Sequence, residues 1–126
     1  MPGETTCGEL AALVARKLGV HTAQLTGCDR APARRVALAA GAGGDMLSLA
    51  RAARAEVMLT GELKHHQALE AEVLGPAVVA AGHFETERPV LGLLRRALQE
   101  RLPGLDIRIA EESSPVWSVH TEDCGG

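Results

Sequence analysis

Aromatic side chains are nearly absent from this chain. Phe84 and Trp117 are the whole complement, and there is no tyrosine. Base-stacking nucleic-acid readers need exposed aromatic platforms, so that class is excluded. Lysine is scarce too: Lys17 and Lys64 stand alone among thirteen basic residues. The formal charge of −3 is too near balance for binding along a phosphate backbone. Cys7, Cys28 and Cys124 are odd in number and widely spaced, with no C-x-x-C, which excludes a disulfide framework and a cysteine zinc site. No apolar run is long enough to span a bilayer, and Met1–Glu4 does not open a signal peptide. The expectation is a soluble intracellular protein, cytoplasmic by default, with mitochondrial and nuclear placement left open. No nucleic-acid or membrane partner is expected.

What is present is an aliphatic chain of one domain's length, 126 residues with 46% apolar. Thr6-Cys7-Gly8-Glu9 has the capping-box pattern, and Leu10, Leu13, Val14 and Leu18 follow at helical spacing up to Gly19. A short extended piece is expected near Ala23–Leu25, then a strand over Arg35–Ala40 that ends in the turn Gly41-Ala42-Gly43-Gly44-Asp45. A helix over Asp45–Arg54 should turn Met46, Leu49 and Ala53 inward. Strand Val57–Thr60, helix Leu63–Val73 and strand Ala77–Ala81 follow. Thr86 is expected to cap a long helix carrying Val90, Leu91, Leu94, Leu98 and Leu102 on one side. The alternation of Asp106-Ile107-Arg108-Ile109 predicts a last strand over Asp106–Ala110. Residues 5–119 form one domain on this reading, and 120–126 a loose tail.

Strands alternating with helices imply an α/β fold: a mostly parallel or mixed sheet with helices on its faces. Three glycine-bearing loops would then leave strand ends along one edge, where ligands of such sheets sit. In the third loop, Gly82 turns the chain, and His83 and Glu87 can reach one cation. On spacing alone the plainer reading is favoured, with His83 closing the turn and Glu87 complementing a helix N-terminus. His65-His66 reads first as a solvated helix start, with metal ligation or acid–base work as the alternatives. The turn Gly41–Gly44 precedes a helix, but neither a dinucleotide fingerprint nor a P-loop is present, and a simple tight turn is favoured over an anion cradle.

Taken together the segments are more specific. Gly41-Ala42-Gly43-Gly44-Asp45, then Leu59-Thr60-Gly61-Glu62-Leu63-Lys64-His65-His66 with Leu69-Glu70-Ala71, then Gly82-His83-Phe84-Glu85-Thr86-Glu87-Arg88, come in that order. This resembles the second half of the NIF-three-like dinuclear-metal family, whose bacterial members are often labelled GTP cyclohydrolase I type 2 homologues. The likeness runs from about Thr5 to Val119, and Glu111-Glu112-Ser113-Ser114-Pro115 is similar to the family's acidic closing segment. The resemblance implies that His83 and Glu87 are ligands of a divalent ion (zinc, iron or manganese), with two ions per complete site. It also implies that His66 lies near the metals as a proton carrier, and that His65 is not a ligand.

In the family a His-His pair and an Asp from the first half complete the site, and that segment has no counterpart here. The favoured explanation is a truncated gene product. A separate chain carrying the other half, or a fold kept for assembly without metal chemistry, are the alternatives. With a complete site the resemblance implies a metal-dependent hydrolase acting through activated water on a nucleotide or similar phosphate-bearing compound. The competing expectation is a non-enzymatic oligomeric interaction module. A ring-like homohexamer is the family's assembly, a regulatory protein is a candidate partner, and apolar surface left uncovered here should self-associate.

Overall fold

A computed structural model describes residues 3–110 and 116–117. The capping box sets the first helix, α1 (Cys7–Leu18). Glu9 N–H donates to Thr6 Oγ1 at 3.2 Å and Thr6 N–H donates back to Glu9 Oε2 at 2.9 Å. Such a cap stabilises a helix start by about 1 kcal/mol. Gly19 ends the helix in the left-handed conformation, at φ 68°.

Four strands follow the expected order: β1 (Gln24–Leu25), β2 (Val36–Ala42), β3 (Val57–Glu62) and β4 (Ala77–Ala80). They lie side by side as β1-β4-β3-β2. β2, β3 and β4 are parallel, and β1 runs antiparallel to β4, so the sheet is mixed. The remaining helices are α2 (Leu47–Ala52), α3 (His65–Leu74), α4 (His83–Glu87) and α5 (Pro89–Arg101).

Successive residues of a strand face opposite sides of a sheet, and β3 shows it. Met58 packs with Leu47, Ala50, Ala71 and Val78 under α2 and α3. Val57 packs on the other face with Cys7 and Val79, under α1. A central strand covered on both faces explains why Val57–Leu59 is a continuous apolar run.

Three details differ from the sequence expectation. Residues Gly44–Met46 form a 3₁₀ turn, and α2 starts only at Leu47. That delay shifts the helix's phase, so Leu47 and Ala50 are buried while Met46 and Leu49 are exposed and Ala53 lies outside the helix. Thr86 lies inside α4 and caps nothing; the long helix begins separately, with Pro89 in its first turn. Asp106–Ala110 is not a strand. Arg95 of α5 donates to its Ile107 O, Gln99 donates to Leu105 O just before it, and Asp106 pairs with Arg108. The apolar ridge of α5, from Val90 to Leu102, is exposed. The expected tail 120–126 and the acidic segment 111–115 lie outside the described residues. No helix among the described residues is long and apolar enough to cross a membrane.

Candidate metal centre

Because β2, β3 and β4 are parallel neighbours, their carboxyl ends bring the three glycine-bearing loops together. Gly61, near the end of β3, is the meeting point. A Cβ added there would stand 2.6 Å from Gly41 O and 2.8 Å from both Gly82 O and His83 Cα, closer than side chains tolerate. Glycine is therefore what lets the loops close up.

β2 carries one extra residue opposite β3 between Ala39 and Ala42. This bulge places Gly41 at φ 70°. The buried hydroxyl of Thr60 holds it, donating to Gly41 O at 3.2 Å and accepting from Gly43 N–H at 3.0 Å. Thr86 ties the same bulge to α4: its Oγ1 accepts Gly41 N–H at 3.0 Å and donates to Gly82 O at 2.8 Å. With the amides of Gly41 and Gly43 engaged internally, this turn is a packed joint and not an anion cradle.

Gly82, at φ 102°, turns the chain off β4 into α4. His83 opens α4 and Glu87 closes it, so the two stand one helical turn apart on one face. His83 Nε2 lies 3.3 Å from Glu87 Oε1. Below them is the bare Cα of Gly41: a Cβ there would collide with Glu87 Oε1 and stand 3.1 Å from His83 Nε2. On the other side of the ring, Nδ1 lies 2.8 Å from Oε1 of Glu62, the last residue of β3. That hydrogen bond is the main cause that raises the ring's pKa above 6.5; the negative charges of Glu87 and Glu62 add to it, and desolvation opposes. The pair opens on a cleft of about 1430 Å³, whose walls include Lys17, His21, Gly61 and Trp117.

An imidazole nitrogen and a carboxylate oxygen converging over a residue without a side chain fit a divalent cation of the zinc, iron or manganese kind. They would supply two ligands. Among the described residues no group of three or more His, Cys, Asp or Glu could hold one ion. A catalytic zinc takes about three protein ligands, one more than this pair offers. His66 is exposed at the second position of α3 and does not line the cleft. His65 precedes it, also exposed. The contact between Glu62 and His83 was not legible in the sequence, because the two lie 21 residues apart and only strand pairing joins them.

The family model of Duf34/NIF3 (NGG1p interacting factor 3) matches residues 1–115. The chain belongs to the NIF3 family. A GTP cyclohydrolase 1 type 2 homolog of Campylobacter jejuni is 36% identical over 75 residues, which is 60% of this chain and 30% of that protein. The protein of the same name from Streptomyces coelicolor is 34% identical over 123 residues, covering 91% of this chain and 43% of its own length. The NIF3-related protein of Bacillus cereus has the same fold, with a TM-score of 0.78 at 24% identity over 95% of this chain and 34% of that one. This NIF3-family chain thus spans less than half the length of these relatives.

Proposed function

We propose that this NIF3-family chain is the metal-binding half of a dinuclear-metal hydrolase, with His83 and Glu87 as its contribution to the ligand set. The observation that carries the reading is the convergence of His83 Nε2 and Glu87 Oε1, 3.3 Å apart over the bare Cα of Gly41. When bound, a divalent ion supplies Lewis acidity and acidifies water at neutral pH. The chain's own residues do the rest. His83 and Glu87 would hold the ion, the bare Cα of Gly41 leaves room for their side chains, and the cleft would admit the substrate. His66, near the start of α3 after the second loop, is the proposed proton carrier on the family resemblance, although it does not line the cleft. A nucleotide or similar phosphate-bearing compound is the proposed substrate class, in keeping with the names carried by the relatives. Elemental analysis of the purified chain tests the reading. Bound zinc or manganese should be found and should disappear in His83→Ala and Glu87→Ala. Metal content near zero that does not rise on adding either ion would sink the enzyme reading for this chain alone.

The second reading is a non-enzymatic oligomeric or regulatory interaction protein that keeps the fold without a complete site. The exposed apolar ridge of α5 and the open face of β2 favour it. On this reading the ligand-deficient variants assemble as the unaltered chain does.

A further inference from the structure

Glu62 makes the shorter of the two carboxylate contacts to His83, yet it approaches the nitrogen that faces away from Glu87. Its backbone position is set by the sheet: Glu62 pairs in register with Ala42 of β2 and follows Gly61, where the three loops meet. His83 follows the turn at Gly82, whose N–H donates to Gly61 O at 2.9 Å. The backbone thus holds the two strand ends side by side, and the 2.8 Å contact joins their side chains.

An imidazole can bind a cation only through a nitrogen without a proton, and its other nitrogen then carries one. A neutral histidine in water prefers to keep the proton on Nε2, the nitrogen that faces Glu87 here. A carboxylate on Nδ1 reverses that preference and holds the ring's direction. Glu62 is placed to do this. As a plain surface ion pair the contact would contribute little, since the side chains are 46% and 58% exposed.

We propose that Glu62 is a positioning residue of the metal centre, accepting the Nδ1 proton of His83 so that Nε2 presents its lone pair beside Glu87. The inference rests on the reading of His83 as a metal ligand. Two readouts on the 126-residue chain separate the two claims. Long-range ¹⁵N–¹H correlation at a pH where the rings are neutral reports the tautomer, with the His83 signals identified by their loss in His83→Gln. Competition with a chelator reports zinc affinity.

The unaltered chain should show His83 with its proton on Nδ1. Glu62→Ala should move the proton to Nε2 and weaken zinc binding about 10- to 100-fold. Glu62→Gln keeps a carbonyl oxygen that can accept the same proton, so it should restore both readouts. An unchanged tautomer in Glu62→Ala overturns the proposal, as does zinc affinity equal to that of the unaltered chain. Loss of zinc in Glu62→Gln as deep as in Glu62→Ala, with the proton still on Nδ1, also overturns it and makes Glu62 a ligand itself. Zinc bound equally well by His83→Gln overturns the metal reading instead, and leaves the tautomer result to decide whether Glu62 orients the ring.

Discussion

Glu87 Oε1 occupies space that a side chain on Gly41 would need, although the two residues are 46 positions apart along the chain. The bulge in β2 and the first turn after β4 are thus fitted to each other through an absent Cβ. Much of the candidate centre follows from that fit, and so do its points of failure.

Gly41→Ala should therefore damage both stability and metal binding. The residue stands at φ 70°, and its new Cβ would collide with Glu87 Oε1. Backbone strain of this kind costs roughly 1–3 kcal/mol. Urea denaturation should show a lowered midpoint, and a zinc titration should show weaker uptake. A variant as stable and as metal-competent as the unaltered chain would refute the fit.

Thr86→Val keeps the shape of the side chain and removes its hydroxyl. Gly41 N–H and Gly82 O each lose a partner. A typical hydrogen bond contributes about 1 kcal/mol net, and an unmet buried group costs more. The variant should unfold at lower urea, with faster amide exchange at Gly41. Exchange at Gly41 unchanged from the unaltered chain would show that the bulge stands without α4.

The pH dependence has opposite signs for the empty and the metal-bound site. The His83 pKa is raised above 6.5, first by the hydrogen bond to Glu62. The folded state therefore favours the charged ring. Its contribution to stability is full below the unfolded value and is lost as pH rises through the folded value. Metal uptake needs a bare Nε2, so affinity should climb over the same interval. An NMR titration should place the midpoint of His83 above 6.5 in the metal-free chain. A midpoint below it would contradict the hydrogen-bonded geometry.

Val36 and Leu38 lie on the outward face of β2, with Leu38 76% exposed. Among the described residues, α1 packs mainly against β1 and β4, away from this face of the edge strand. An uncovered apolar strand of this kind promotes association. Size-exclusion chromatography with light scattering should find species larger than the 13.2 kDa chain. Leu38→Lys should shift them toward the monomer. A clean, salt-insensitive monomer from the unaltered chain would count against this.

Local chemistry made a large part of the fold legible. Thr6 and Glu9 meet across three residues, so α1 and its cap could be read directly. The apolar runs of β3 and β4 marked buried parallel strands, because strands covered on both faces need no polar alternation, whereas the equally apolar β2 is an edge strand with one face exposed. Alternation misled at Asp106–Ala110, which pairs with no strand among the described residues. Helix periodicity misled at Met46 and Leu49, because a 3₁₀ turn delays α2 and changes which residues face inward.

The candidate centre divides in the same way. The sequence by itself determined that His83 and Glu87 follow the Gly82 turn four residues apart, within reach of one cation, and that glycines precede each loop; it started the helix at Thr86, so their shared face on α4 came with the structure. Only the tertiary structure decided that Gly41 lies beneath them, that Glu62 reaches Nδ1, and that His66 stays exposed away from the cleft wall. Those relations depend on strand order, register and one bulge. Contacts between distant segments set all three, and local spacing carries no record of them.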